Sequence, residues 1–137
     1  MIVVDATVAA KWYLAEADSA KALALVADSQ EALFAPDWIE VEVASAITRR
    51  HRLGGATRAE AAALISDWRH DVDLGRIALK PWRELLSEAT NLALAISHGL
   101  VDCLYLACAR QLGAHLVTAD EKLHRRAVTA YPAVSLL

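Results

Sequence analysis

The chain has 137 residues, of which 56% are hydrophobic, so we expect one domain over residues 1–137 with a full core. No apolar stretch reaches membrane-spanning length, and the first residues run straight into a predicted strand, which disfavours a membrane protein or a signal peptide and leads us to expect a cytoplasmic protein. The formal charge of −3 comes from 17 acidic and 14 basic residues, a balance that does not exclude a polyanionic partner.

The first half of the chain alternates predicted strands and helices. In order, these are a strand over Met1–Val4, helices over Thr7–Leu14 and Ala17–Ala27, a strand over Ala32–Ala35, a helix from Pro36 through Arg52, and a helix from Thr57 to His70. Thr57 and Glu60 have the spacing of a capping box, which marks the start of the last of these helices.

The second half continues the alternation. It contains a strand over Arg76–Leu79, a helix from Pro81 to about Ser97, a helix over Val101–Leu112, a strand at Leu116–Val117, a short helix after Asp120, and a strand over Ala133–Leu136. Cys103 and Cys108 point in different directions on one helix, so we expect two free core thiols. Strands that alternate with helices predict an α/β fold with a parallel sheet.

Four carboxylates lie where apolar runs end or helices begin: Asp5, Glu42, Asp102 and Asp120. Asp5 and Asp120 end predicted strands, and the carboxyl ends of parallel strands border the ligand crevice of such sheets. Two carboxylates about 4 Å apart repel by roughly 4 kcal/mol at an effective dielectric of 20, so a cluster of them must bind a cation or retain protons. Hard oxygen ligands suit Mg²⁺ or Mn²⁺.

Each acid also has an ordinary structural explanation. Asp5 and Asp120 fit helix N-caps, and Asp102 fits a first helical turn where the dipole favours an anion. Glu42 is predicted in the middle of a helix, beside its apolar stripe, so it cannot be a helix cap. An ion pair or a solvated position at the edge of the stripe would still explain a glutamate there.

Four segments carry a resemblance to the PIN-domain ribonucleases, and most closely to the VapC toxins of VapBC toxin-antitoxin pairs. They are Ile2–Trp12 around Asp5, Ala35-Pro36 followed by Val41-Glu42-Val43, Gly99–Ala107 around Asp102, and Leu116–Asp120. Each segment alone is weak, but four in order at family-like separations are jointly specific. The one departure is Cys103, where the family usually has alanine.

The resemblance implies a PIN-like three-layer α/β/α fold with a mainly parallel sheet of about four to five strands. It also implies that Asp5, Glu42, Asp102 and Asp120 hold one or two Mg²⁺ or Mn²⁺ ions, supported by Thr7 and Thr118. The activity it implies is an endoribonuclease toxin that hydrolyses RNA with a metal-activated water, leaving 5′-phosphate and 3′-hydroxyl ends. The implied partners are RNA, a VapB-type antitoxin and a second copy in a homodimer.

Two basic groups follow the acids and are candidates for contacts to RNA phosphates. One group, Arg49, Arg50 and Arg52, ends the helix of Glu42, and the other, Lys122, Arg125 and Arg126, follows Asp120. Lys11 lies near the first acid. Solvated surface positions explain such charges equally well.

Other classes of protein fit less well. A receiver domain needs paired acids after its first strand, a haloacid-dehalogenase-like phosphatase needs Asp-x-Asp-x-Thr, and this chain offers Asp5-Ala6-Thr7. The five histidines have no metal-binding spacing, so we assign none to a metal and expect surface or satisfied core positions. A catalytically silent PIN-like module that binds RNA or protein remains the main alternative.

Overall fold

The computed structural model describes residues 1–28 and 30–137, and its centre is a parallel sheet. Five strands lie in the order β3-β2-β1-β4-β5. They are β1 (Ile2–Val4), β2 (Leu33–Pro36), β3 (Ala78–Lys80), β4 (His115–Thr118) and β5 (Val134–Leu136).

The middle strand β1 pairs with β2 on one side and with β4 on the other. In register, Val3 lies opposite Phe34 of β2, and Val4 lies opposite Val117 of β4. The chain therefore moves from β1 toward one edge of the sheet and later returns to build the other edge. In open parallel sheets this reversal leaves a crevice at the carboxyl ends of the two strands, here β1 and β4.

Seven α-helices flank the sheet in the described part of the chain. They are α1 (Ala6–Ala9), α2 (Ser19–Asp28), α3 (Ile39–Arg52), α4 (Arg58–Asp73), α5 (Trp82–Ile96), α6 (Leu100–Leu112) and α7 (Glu121–Ala127), with a 3-10 turn over Ala10–Trp12 after α1. The five parallel strands and their flanking helices confirm the predicted α/β/α fold.

Helix α6 forms the centre of the core. Its residues from 103 to 109 are all buried, and the helix contacts β1, β2 and β4 as well as α5. Cys103 and Cys108 lie on this helix as free, fully buried thiols, as predicted. Because α6 is buried on most of its surface, the residues of its first turn have a fixed position at the edge of the sheet.

Several predicted bounds are off by a few residues, and two larger differences concern the first helix and α3, the second of which moves a candidate ligand. The helix expected over Thr7–Leu14 is divided into α1 and the 3-10 turn. Helix α3 begins at Ile39, because Pro36 ends β2 opposite Lys80 of β3 instead of opening the helix. Glu42 consequently lies in the first turn of α3, and the prediction of a mid-helix position was wrong.

Helix α4 begins as the sequence predicts, with a capping box between Thr57 and Glu60. Within the described residues no single helix is long and apolar enough to cross a membrane, while the pair α5 and α6, bent by 114°, passes that test together on length and composition only.

Candidate metal centre

The four predicted acids meet at the carboxyl edge of the sheet. Asp5 follows β1, and Asp120 follows β4 after one residue. Glu42 and Asp102 lie in the first turns of α3 and α6. Asp102 is the shared neighbour, because its charge acts on both Asp5 and Glu42, and one of its carboxylate oxygens lies within 4.8 Å of an oxygen of Asp120.

Asp5 is the buried member of this cluster, with only 3% of its surface exposed. It caps α1, and its Oδ1 accepts a hydrogen bond from the backbone N–H of Val8 at 3.1 Å. Oδ1 also accepts the hydroxyl of Thr7 at 2.5 Å, and Oδ2 accepts the hydroxyl of Thr118. One lone pair of Oδ2 is left over for a further ligand.

The two threonine hydroxyls have a fixed direction of donation. The Thr7 hydroxyl accepts the backbone N–H of Ala119 at 2.9 Å, and that of Thr118 accepts the N–H of Asp120 at 2.9 Å. Since each hydroxyl receives a backbone proton, its own proton is directed to Asp5. The pair therefore joins the end of β1 to the loop that carries Asp120.

These hydrogen bonds offset only part of the cost of burying a carboxylate. Burial raises the pKa of Asp5 to about 6, the bonds from Thr118, Thr7 and Val8 lower it, and the charge of Asp102 raises it further. A divalent cation beside the free lone pair would reverse this effect and hold Asp5 in its charged form.

Glu42 receives its hydrogen bond from the buried Tyr105, a residue that the sequence analysis did not assign to the site. The phenol donates to Oε2 of Glu42 at 2.5 Å, from a position one helical turn after Asp102. Burial, followed by the charges of Asp102 and Asp5, raises the pKa of Glu42, whereas the bond from Tyr105 lowers it. Three-residue spacing from Asp102 was the only sequence indication of this role.

Asp102 and Asp120 have hydrogen-bond donors of their own. Asp120 caps α7, and its Oδ1 accepts the backbone N–H groups of Lys122 and Leu123 at 2.7 and 3.0 Å. Oδ2 of Asp102 lies 2.8 Å from Nε2 of His98, whose side chain is 4% exposed. His98 therefore lies in the site, and the expectation of a surface or fully satisfied core position was wrong for it, because its buried Nδ1 has no hydrogen-bond partner within residues 1–28 and 30–137.

This arrangement fits a divalent cation. Across the described ranges, no lysine or arginine forms an ion pair with any of the four acids. Asp5, Glu42 and Asp120 accept their hydrogen bonds from hydroxyl and backbone N–H groups, which leave the negative charges of these acids uncompensated. Carboxylate and hydroxyl oxygens are the ligands that Mg²⁺ and Mn²⁺ prefer.

A cleft of about 360 Å³ opens beside the acids and carries part of the predicted basic surface. It is lined by Thr7, Glu42, Ala119, Lys11, Arg49, Glu16 and the alanines 6, 10 and 46. Of the seven candidate RNA contacts, Lys11 and Arg49 line this cleft.

The other five candidates lie outside the lining of that cleft. Arg50 pairs with Glu16 at 3.1 Å, and Arg126 donates to the carbonyl of Ser97. The remaining three, Arg52, Lys122 and Arg125, are exposed.

A second, more enclosed cleft of about 240 Å³ is built mainly by the first half of the chain. Its apolar lining includes Trp12, Leu23 and Val26, and its polar end is formed by Asp71 and Arg76. Tyr13 closes one side by donating its hydroxyl to Asp71 at 2.6 Å.

Comparison with known proteins assigns this α/β domain with its cluster of acids to one family. The family model of the PIN domain matches residues 2–128, so the chain belongs to the PIN domain family. It is 31% identical over 125 residues to Ribonuclease VapC3 of Pyrobaculum aerophilum, covering 89% of this chain and 91% of that protein.

A solved structure shares the fold. It is VapC20 of Mycobacterium tuberculosis, described as a toxin that cleaves the sarcin-ricin loop, with a TM-score of 0.64, 18% identity and coverage of 86% of this chain and 87% of that one. The family model and the 31% identical relative identify a PIN-domain protein of the VapC family, as the sequence resemblance predicted, and the solved structure shows the same fold.

Proposed function

We propose that this protein is the toxin of a type II toxin-antitoxin system and acts as an endoribonuclease that requires Mg²⁺ or Mn²⁺. The observation that carries the proposal is the convergence of Asp5, Glu42, Asp102 and Asp120, none of which forms an ion pair with a lysine or arginine among the described residues. Two similar proteins, Ribonuclease VapC3 and a toxin that cleaves the sarcin-ricin loop, support the same activity. We place this activity in the cytoplasm, where cellular RNA is available as substrate.

The four acids would hold the cation directly or through water. When bound, the cation supplies a Lewis acid that lowers the pKa of a water molecule and stabilises charge on the leaving oxygen. Thr7 and Thr118 keep the Asp5 carboxylate oriented, and Tyr105 does the same for Glu42. Such preorganisation matters because misplaced ligands weaken both metal binding and the alignment of the attacking water.

The chain's contribution to substrate binding comes from the cleft beside the acids. Lys11 and Arg49 line it and would contact phosphate oxygens of the RNA, Lys11 in exchange for its present bonds to Glu16 and to the carbonyl of Ala17. Contacts of this kind position the RNA backbone without reading its sequence.

The test is cleavage of total cellular RNA by the purified, antitoxin-free protein, with Mg²⁺ or Mn²⁺ and with chelator. We expect discrete products that need the metal and are absent with Asp102→Asn, which is nearly isosteric. Asp73→Asn, at the exposed end of α4, is the matched control and should cleave like the wild type. Folded wild-type protein that binds RNA or a partner but never cleaves would overturn the nuclease in favour of a silent binding module.

We further propose a homodimer and inhibition by a VapB-type antitoxin whose tail covers the active site and a neighbouring apolar groove. The apolar cleft around Trp12, Leu23 and Val26 supports a contribution of the first-half helices to that groove. Sedimentation of the purified protein should give twice the 14.8 kDa chain mass. A saturating antitoxin that leaves cleavage unchanged would refute the inhibition.

A further inference from the structure

His98 is held in place by the turn that joins α5 to α6. Ser97 adopts the left-handed conformation with φ 51° and ψ 51°, and the N–H of His98 bonds to the carbonyl of Ala93 at 3.1 Å. This is the 6→1 bond of a Schellman turn, which closes the end of α5. Arg126 of α7 donates to the carbonyl of Ser97, so the turn is also tied to the helix that Asp120 caps.

The His98 imidazole faces two of the acids from this buried position. Its Nε2 lies 2.8 Å from Oδ2 of Asp102, and one ligand atom from each of His98, Asp102 and Asp120 lies within 4.8 Å of the others. The Nε2 nitrogen must carry the proton, since a bare ring nitrogen would repel the carboxylate oxygen. Nδ1 is buried without a hydrogen-bond partner in the described part of the chain.

A buried imidazole with one unpaired nitrogen is less stable in a core position than an apolar side chain. The unpaired polar atom carries a cost in folding stability. An aliphatic side chain would fill the same space without it. The bond to Asp102 is the one polar interaction of this side chain in the described residues, and it therefore points to the carboxylate as the reason for a histidine at this position.

We propose that His98 is a positioning residue for Asp102. Its Nε2–H fixes Oδ2 of Asp102 and leaves Oδ1 and the second lone pair of Oδ2 turned toward a cation shared with Asp120. Outer donors of this kind set the orientation of a ligating carboxylate and change metal affinity 10- to 100-fold when they are removed. The inference rests on the proposed function only in assuming that the acids bind a divalent cation.

The test measures Mn²⁺ affinity without RNA, by the loss of the free-ion electron spin resonance signal, in the wild type and three variants. His98→Leu removes the donor, and we expect 10- to 100-fold weaker Mn²⁺ binding. His98→Gln places an amide N–H near the position of Nε2, and we expect affinity close to that of the wild type. His115→Gln, at the opposite end of β4, is the matched control and should bind like the wild type.

Cleavage measured on the same preparations should follow the affinities. His98→Leu should need more Mn²⁺ for half-maximal rate and recover most of its kcat at saturation. Equal Mn²⁺ affinity in the wild type and in folded His98→Leu would overturn the positioning role, and so would a His98→Gln variant as weak as His98→Leu, which would instead indicate a nitrogen ligand.

The two proposals fail in different ways. Wild-type protein that binds Mn²⁺ but cleaves no RNA would overturn the nuclease and leave the positioning role to be decided by the affinities. Wild-type protein that binds no Mn²⁺ would overturn the positioning role together with the metal centre.

Discussion

Thr118, the last residue of β4, donates its hydroxyl proton to Oδ2 of Asp5, the residue that follows β1. The same hydroxyl accepts the backbone N–H of Asp120. One buried side chain therefore connects two acids that are 115 positions apart in the sequence, across the crevice at which the sheet reverses direction. The metal centre depends on this contact because both acids lose an orienting bond without it.

Replacing Thr118 by valine should lower both stability and activity. The change keeps the shape but leaves the N–H of Asp120 without its side-chain acceptor and Oδ2 of Asp5 without its donor, so we expect a loss of about 2 kcal/mol in the free energy of unfolding. Cleavage should fall with it. Thr118→Ser keeps the hydroxyl and loses one buried methyl, about 1 kcal/mol. Urea denaturation and cleavage rates check this, and a Ser variant as inactive as the Val variant would show that the hydroxyl is not the cause.

The stability of the metal-free protein should depend on the protonation of Asp5. Burial raises its pKa to about 6 in the folded state, from the usual value of 3.8. The folded state thus binds the proton more tightly, and the stabilising contribution is fully present below pH 3.8 and is lost as pH rises through 6. The change is about 3 kcal/mol from the shift in pKa.

Asp5→Asn removes this dependence. Urea denaturation of both proteins without metal, at pH values from 4 to 7, should show the wild type losing stability relative to the variant as pH rises. A constant difference between the two proteins over this range would contradict the raised pKa of Asp5. Adding Mg²⁺ at pH 7 should restore stability to the wild type more than to the variant, because a cation stabilises the charged carboxylate.

Tyr105→Phe should reduce cleavage while preserving the fold. The ring stays in the core, and Glu42 loses the donor that orients it, for which we expect a 10- to 100-fold drop in activity or metal affinity. Tyr131→Phe is the matched control, because the Tyr131 hydroxyl donates to the carbonyl of Ala114 at 2.8 Å and not to an acid. Parallel losses of cleavage in both variants would mean that a phenol matters only for stability.

The fold followed from the sequence because its local patterns agree with one another. Apolar runs such as Ile2–Val4 gave the buried strands, and the Thr57 and Glu60 pair gave the start of α4. The positions of Asp5 and Asp120 at the carboxyl edge of the sheet were predictable, because each acid follows an apolar run that reads as a buried strand. The start of α3 was not predictable, because a proline before a helical pattern can be either the first residue of the helix or, as Pro36 is, the last residue of the preceding strand.

Two of the donors that orient the acids, Tyr105 and His98, could not be found from the sequence, whereas Thr7 and Thr118 were expected from the family resemblance. Tyr105 meets Glu42 across 63 positions, a contact that exists only once α3 and α6 have packed. His98 reaches Asp102 through a turn whose key residue, Ser97, is a left-handed non-glycine that no local pattern predicted. Local periodicity encodes which residues lie at the edge of the sheet, while tertiary packing decides which of them touch.

Arg49 and Arg52 allow a direct test of the RNA cleft. Both end α3, but only Arg49 lines the cleft beside the acids. In the cleavage-deficient Asp102→Asn background, Arg49→Ala should weaken RNA binding and reduce the slope of log affinity against log salt concentration by roughly the amount expected for one phosphate contact. Arg52→Ala should have a smaller effect on both. Binding isotherms at several salt concentrations measure this, and equal effects from both positions would show that only net charge matters.

Glu16 should oppose RNA binding from within the same cleft. Its carboxylate pairs with Lys11 at 3.4 Å and with Arg50, just outside the cleft lining, at 3.1 Å, so it competes with a phosphate for Lys11 and lowers the positive charge beside the cleft. Glu16→Gln should therefore tighten RNA binding in the Asp102→Asn background and steepen its salt dependence. Glu88→Gln removes the same charge from the Arg110 pair elsewhere and is the matched control. If both variants bind RNA equally well, long-range charge and not competition at the cleft explains the change.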